Sequence, residues 1–479
     1  MDGIECSLLN LQEVKKAGFR FDSDYYSKSN LKLSKLINEI GTKTIGEYGG
    51  RLDCSAFYPS ITGYYSNDRN LIPFLRVNEI KNGLVAITDS TVFLPPQVIE
   101  DNSTTIALAY PGDIIIAKGG NTLAKVGLVT NDYPQYATCR DVIILRTNNL
   151  KGLNKYYLWA FLHSGYGQRI LWRSASQTGQ PHLTLPAILN IKIPDNLSLQ
   201  KTMEQIYEQS VALQKQAEHI YGEAETLLSR TLKYKKASQH GPVTAKKLLS
   251  ESFLKTGRLD AEYYQPKYDA LFEALSCFNC KPLGGGKGIV RIKKSIEPGS
   301  EAYLEEGIPF VRVSDVNKYG IAKTEVFIDH NTVQNIESLY PKKDTILFSK
   351  DGSVGIAYKV ENDSKFVTSG ALLHLIVRNT KEVLPDYLTL VLNSPVVQLQ
   401  AERDSNGAII QHWKPSEIEQ VVIPVLDMPT QEIIAAKVQE SFALRRKSKE
   451  LLEYAKQAVE MAIEQGEEVA LAWLSDKVG

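Results

Sequence analysis

The stretch Ile72-Pro73-Phe74-Leu75-Arg76-Val77-Asn78-Glu79-Ile80 lies in the first half of the chain, and Ile308-Pro309-Phe310-Val311-Arg312-Val313-Ser314-Asp315-Val316 lies in the second. Four further blocks recur around this pair in the same order. Asp22-Ser23-Asp24-Tyr25-Tyr26 returns as Asp260-Ala261-Glu262-Tyr263-Tyr264, and Tyr157-Leu158 with Leu162-His163-Ser164 returns as Tyr387-Leu388 with Leu392-Asn393-Ser394. Thr178-Gly179-Gln180 through Ile193-Pro194 matches Asn406-Gly407-Ala408 through Ile423-Pro424, and Gln209 to Gln214 matches Glu440 to Arg445. The offset drifts from 238 (263 less 25) to 228 (406 less 178). Five blocks in one order mark a tandem duplication.

Length alone, 479 residues, suggests three units of ~150 residues. The repeat replaces that with two halves of about 240 residues, each a globular part followed by a helix. Short β-rich runs, Asp113–Ala117, Asp141–Leu145 and Leu372–Val377, are bounded by Gly, Pro, Asn and Asp. A helical segment, about Lys155–Trp172 or Pro385–Arg403, then precedes a loop and a last strand, Ile188–Ile193 or Glu419–Val425. The pattern predicts two tandem, pseudo-symmetric α+β domains. Their expected limits are residues 1–197 and 241–428, with helices at 198–240 and 429–479.

Ile206, Ser210, Leu213, Ala217, Ile220, Ala224, Leu227 and Thr231 alternate spacings of four and three, which is a heptad seam. Ser441, Leu444, Ser448, Leu451, Ala455, Ala458 and Ala462 keep the same rhythm in the second copy. So many Ala and Ser residues let two helices approach closely. Ile206, Leu213, Ala217, Ile220, Ala224 and Leu227 are therefore expected to pair with Leu444, Leu451, Ala455 and Ala458 in an antiparallel coiled coil. A helix over Leu199–Lys236 spans roughly 57 Å, more than a domain of this size needs, and reads as a strut.

Composition is that of an ordinary globular protein: 43% hydrophobic, 23% charged, 32 Gly and 20 Pro. Lys+Arg 55 balances Asp+Glu 55, so any polyanion site is a local patch. Five thinly spread cysteines, with only Cys277 and Cys280 as a CxxC, fit plain thiols in a reducing cytosol better than zinc ligands, a redox pair or a disulfide framework. The sequence shows no signal-peptide pattern and no apolar run near the ~20 residues of a membrane span, so the expected location is the cytoplasm, with no membrane partner.

Catalytic motifs are missing where an enzyme of this size should show them. Gly284-Gly285-Gly286-Lys287-Gly288 lacks the Ser or Thr after Lys and has Lys281 where a phosphate loop needs glycine. No GxGxxG, HExxH, GxSxG or methyltransferase Asn/Asp-Pro-Pro-aromatic motif is present, and the His residues lack ligand spacing. The chain is expected to be a non-catalytic binding protein without a metal site.

Candidate contact residues are polar or basic side chains breaking apolar strands in both copies. Arg76 and Asn78, with Arg312, Ser314 and Asp315, alternate with Leu75, Val77, Val311 and Val313 and should share an exposed face. Arginine forks onto guanine and asparagine onto adenine in a major groove; an arginine–carboxylate pair serving the fold is the competing role. The glycine-containing turns at 118–125 and 349–355 offer Lys118, Asn121, Lys125, Lys350 and Ser353 to phosphates, or act as ordinary turns. The amide-rich loops 176–182 and 405–414 offer Gln180, His182, Gln411, His412, Trp413 and Lys414 to nucleic acid. Lys233, Lys235, Lys236, Arg445, Arg446, Lys447 and Lys449 read as solvated helix faces or partner contacts.

These features together resemble the specificity subunit of type I restriction-modification enzymes over essentially the whole length. They are the duplicated Ile72–Asn78 and Ile308–Ser314 blocks, the Ser349-Lys350-Asp351-Gly352-Ser353-Val354-Gly355 turn, and the Gly179–Pro186 block ahead of an Ile-x-Ile-Pro strand. The heptad helix closing each half completes the set. The resemblance implies two target-recognition domains held apart by paired helices that act as a ruler, each reading half of a bipartite, asymmetric double-stranded DNA site. It implies two adenine-methyltransferase subunits and, in the full complex, endonuclease/translocase subunits. S-adenosylmethionine, ATP and magnesium would sit on those partners and no cofactor on this chain. The first copy departs from the family pattern where Lys118-Gly119-Gly120-Asn121 replaces the Ser-Lys-Asp-Gly-Ser turn, so the two half-sites should differ. Net neutrality then implies weak DNA binding by the chain alone. Two readings compete: a tandem-domain adaptor for protein or glycan partners, and a fused restriction enzyme, for which no acidic-Lys metal constellation is found.

Overall fold

The computed structural model describes residues 6–16, 19–88, 90–176, 181–194, 196–233, 244–405 and 411–478. The chain forms two compact units, residues 1–213 with 446–479 and residues 214–445. The division passes through both long helices, Leu197–Thr231 and Met428–Gln465, so each unit owns half of each helix. This differs from a partition into whole globular domains and whole helices, because the helix halves share cores with the β-structure beside them.

In the first unit a six-stranded sheet runs Arg51–Asp53, Val142–Arg146, Ile114–Ala117, Val126–Leu128, Leu84–Val85, Ile80–Lys81. A four-stranded sheet runs Val92–Leu94, Ile72–Leu75, Tyr136–Thr138, Leu108–Ala109, its middle pair parallel with Phe74 opposite Ala137. Ile114, Ile115 and Ile116 are all fully buried, as a run without alternation requires of a strand covered on both faces. Gly41–Thr44 pairs antiparallel with Lys192–Pro194.

The second unit repeats this plan. Ile308–Val311 lies parallel to Val367–Thr368, with Phe310 opposite Val367. Ile346–Ser349 sits between Leu372–Val377 and Ala357–Lys359, and Val290–Lys294 closes the sheet on the other side of Leu372–Val377. Cys280–Pro282 pairs antiparallel with Val422–Pro424. The duplication read from the sequence is thus a duplication of topology.

Each expected helix at 155–172 and 385–403 is two. Lys155–His163 and Gly165–Ser174 break at Ser164, whose Oγ accepts from Gly167 N at 3.2 Å. A Cβ on Gly167 would lie 2.0 Å from Phe161 O, so this close approach needs glycine. Pro385–Asn393 and Pro395–Asp404 break at Ser394, where Pro395 fits only a helix's first turn. The expected last strands shorten to Lys192–Pro194 and Val422–Pro424, because helical turns Leu185–Leu189 and Pro415–Ile418 precede them.

The Asp-x-acid-Tyr-Tyr blocks are staples. Arg20 forks onto Asp22 at 2.9 and 2.8 Å and lies 4.3 Å from the Tyr25 ring centre, with Arg173 at 4.1 Å from the same ring. Arg258 forks onto Asp260 at 2.8 and 2.5 Å and lies over Tyr263 with Arg403. The paired guanidinium holds each aspartate's pKa below the usual carboxylate value.

Within each unit the helix halves run antiparallel. In the first, Ser210 and Ser448 join hydroxyls at 2.9 Å, and Leu199 N donates at 2.8 Å to Oε1 of Glu467, which opens the short helix Glu467–Val478 just past the end of the second long helix. In the second, Ser441 Oγ donates to Ala217 O at 2.7 Å and Lys437 pairs with Glu223 at 2.7 Å. Ile206, Ala217, Ile220, Ala224, Leu451, Ala455 and Ala458 are buried; Leu213 and Leu227 are half-buried against the cores, and Leu444 is half-buried. The buried Gln200 and Gln431 tie the helices to their domains: each accepts from a backbone N–H just ahead of a short helix, Asn154 at 2.7 Å and Leu384 at 3.0 Å. Arg445 corrects an expectation of solvated basic faces. It is 7% exposed, with its guanidinium 3.8 Å from the Tyr319 ring centre. Lys235 and Lys236 lie outside the described residues. Among the described residues, no helix is long and apolar enough to cross a membrane.

Candidate nucleic-acid interface

In each unit one short segment gathers the candidate residues. In the first, Cys139 N bonds Leu75 O at 2.9 Å, one residue before Arg76, and Lys118 N bonds Asp141 O at 2.8 Å. Leu183 N then bonds Lys118 O at 2.8 Å, bringing His182 alongside. In the second, Ser369 N bonds Val311 O at 2.9 Å beside Arg312, Lys350 N bonds Ala371 O at 2.9 Å, and Trp413 N bonds Lys350 O at 2.8 Å beside His412. Segments 138–142 and 368–372 are therefore hubs on which an arginine turn, a lysine turn and a histidine loop converge.

The lysine turns are built alike despite unlike sequences, each with two left-handed residues, although the first is one residue longer and holds a 3-10 turn at Gly120–Thr122. Gly120 and Ala124 have φ of 68° and 65°, and Gly352 and Gly355 have 73° and 85°. A glutamine secures each: Gln168 Nε2 donates to Ala124 O at 2.9 Å and Leu162 O at 2.8 Å, and Gln398 Nε2 to Gly355 O at 2.7 Å and Leu392 O at 3.0 Å. Buried Ser349 adds a bond from its Oγ to Ser353 O at 2.6 Å. Lys118, Asn121 and Ser353 are at least partly exposed here, and Lys125 is half-buried.

The two hubs differ in the side chain facing the histidine. In the first unit it is Gly119, where a Cβ would lie 2.3 Å from His182 Nδ1. In the second it is Asp351, whose carboxylate contacts Lys350 Nζ and lies 2.8 Å from His412 Nδ1. One hub therefore presents a histidine packed against bare backbone. The other presents a Lys–Asp–His cluster with a fixed carboxylate.

Both arginines spend part of their bonding on the fold. Arg76 Nη2 donates to Glu79 Oε1 at 3.1 Å and Ser90 O at 2.8 Å, while Glu79 Oε2 accepts from Arg76 N at 2.8 Å. Asp315 accepts from Arg312 N at 2.9 Å and Arg312 Nε at 3.5 Å, so Asp315 is a turn cap and not a free contact. The Arg312 side chain keeps 40% exposure and that of Arg76 32%; Asn78 and Ser314 are exposed beside them. Lys414 is exposed, with Glu417 at 3.8 Å.

Trp413 is a correction. It is 1% exposed, its ring 5.8 Å from Phe348 in the core, and it cannot stack on a base. Its equivalent, Leu183, is buried too, because the loop alternates exposed His with a buried apolar residue. Gln411 is exposed and its carbonyl accepts from Gly352 N at 2.9 Å. Gln180 lies outside the described residues. Arg140 escaped the repeat-based reading: it is exposed on the first hub, between Cys139 and Asp141, but the second copy has Gly370 there. Burial pushes the Cys139 thiol beneath it up to about 11, so this cysteine is packing and not a nucleophile.

Residues 287–454 match the family model described as "Type I restriction modification DNA specificity domain". The chain carries a type I restriction-modification DNA specificity domain. The first half repeats the parallel pairing found in the matched stretch: Ile72–Leu75 lies parallel to Tyr136–Thr138 as Ile308–Val311 does to Val367–Thr368. No curated protein matches it. It is similar to the solved structure of a type I restriction-modification system S subunit from M. genitalium, at 14% identity and a TM-score of 0.31, over 91% of this chain and 93% of that one. It is also similar to the HsdS subunit from Thermoanaerobacter tengcongensis, at 14% identity and a TM-score of 0.28, over 87% and 97%.

Proposed function

We propose that this specificity subunit reads a bipartite, asymmetric double-stranded DNA site, one half with each unit. It presents that site to two adenine-methyltransferase subunits and, in the full complex, to endonuclease/translocase subunits. The observation that carries this reading is the pair of hubs: the same three backbone hydrogen bonds, made twice, displaying Lys118, Gly119 and His182 in one copy and Lys350, Asp351 and His412 in the other. A shared scaffold with unlike side chains suits two unlike half-sites, since phosphate contacts position and base-edge contacts specify. The long helices fix the spacing between half-sites in this reading. The chain supplies sequence choice and no chemistry; S-adenosylmethionine, ATP and magnesium belong to the partner subunits, and the complex works in the cytoplasm.

Genome-wide adenine-methylation mapping in cells with and without the chain tests the reading. Loss of one bipartite methylated motif on deletion supports it. An unchanged methylome, with the methyltransferase shown to be active, overturns it.

A further inference from the structure

The hubs leave one strongly charged surface of the second unit unused. Val290–Lys294 is the edge strand of the four-stranded sheet and pairs only with Leu372–Val377. Val290 is fully buried and Ile292 packs on the core, whereas Arg291, Lys293 and Lys294 are exposed. Among the described residues none of these three has an ion pair, whereas Lys267, Lys281, Lys359 and Lys437 in the unit's other strands and helices each have one. The strand is also continuous with the hub. Leu373 has Lys294 on one side and Phe348 on the other, and Lys350 stands two residues past Phe348. Glu297, three residues beyond Lys294, accepts from Gly370 N at 3.1 Å. The equivalent edge strand of the first unit, Arg51–Asp53, is charge-compensated: Asp53 binds Arg146 at 2.7 Å, and Arg146 also binds Asp113 at 2.8 Å.

We infer that Arg291, Lys293 and Lys294 form a phosphate-contact rail, by which the second unit grips the backbone of duplex DNA beside its base-reading loops. The inference rests on the proposed DNA reading and extends it to an edge strand that the duplication does not mark. Three uncompensated cations on one strand, in a chain whose net charge is zero, complement a phosphate row. A charged edge also deters unwanted strand addition, but glutamate performs that duty as well as lysine. The two roles therefore separate under charge reversal.

The test is a salt titration of the full chain with a fluorescent duplex of arbitrary sequence, from roughly 50 to 200 mM, where phosphate contacts dominate. The variants are the triple Arg291→Gln, Lys293→Gln, Lys294→Gln, its Glu counterpart, and a control with Lys343, Lys381 and Lys447 changed to Gln. Each neutralised phosphate contributes a slope of ~0.9 in log K against log salt, so the Gln triple should lower the slope by about 2.7 while the control retains it. The Glu triple should keep the wild-type thermal midpoint and oligomeric state and bind most weakly. An unchanged slope in the Gln triple, or an equal loss in the control, overturns the rail alone. Wild-type protein that binds no duplex at the lowest salt even with its methyltransferase subunits added overturns the DNA reading with it.

Discussion

At the residue scale, neighbouring side chains of one loop have opposite duties. His412 is exposed and Trp413 buried, and only the tertiary register says which is which. Trp413→Ala should cost about 3–5 kcal/mol in urea unfolding, as emptying a large aromatic site does, whereas His412→Ala should stay within about 0.5 kcal/mol. Function should divide the other way. His412→Ala should relax base choice in one half of the methylated motif and leave the other half intact, and His182→Ala should do the reverse, read by methylation sequencing. Relaxation of both halves by either variant would argue against independent half-site reading. Gly119→Ala belongs to the same scale: its methyl would displace the His182 ring, so it should mimic His182→Ala without unfolding the domain.

At the element scale, each unit carries one histidine held neutral, half-buried His163 in the first and buried His374 in the second. Burial first, then Lys456, holds His163 down to about 4, and burial, then Lys293, does the same for His374, which lies 2.9 Å from Thr368 Oγ1. The folded value lies below the unfolded one near 6.5, so the unfolded chain takes up protons first. Stability should therefore be full above about pH 6.5 and fall as pH drops towards 4, by on the order of 3 kcal/mol for each histidine. Urea midpoints at pH 7 and 4.5 check this: a His163→Gln, His374→Gln double variant should show a smaller loss between the two, and an undiminished loss refutes the assignment. The helix seam offers a second check. Ser210 and Ser448 exchange hydroxyl–carbonyl bonds at 3.1 and 2.9 Å, which sets a close approach. Ser210→Leu should overfill it and cost about 1–3 kcal/mol, seen as a lower thermal midpoint.

At the scale of the whole molecule, balanced charge governs DNA affinity. With Lys+Arg 55 against Asp+Glu 55, the chain gains little from general attraction to phosphates and depends on local groups. Fluorescence anisotropy at physiological salt should show weak duplex binding by the chain alone and a large gain on adding the methyltransferase. Tight, site-specific binding without it would contradict partner dependence.

Duplication, α+β class and the helix seam were legible in the sequence because they are periodic or repeated, and repetition survives without knowledge of contacts. The convergence of Arg76, Lys118 and His182 was legible only as three separate suspicions, since hydrogen bonds between segments far apart in sequence bring them together. Burial of Trp413 and Arg445, the capping duty of Asp315, the breaks at Ser164 and Ser394, and the exposed cations of Val290–Lys294 were decided by tertiary structure. The physical reason is the same in each case. Whether a side chain meets water, a carboxylate or a core depends on the strands and helices placed against it, and those neighbours lie tens to hundreds of residues away.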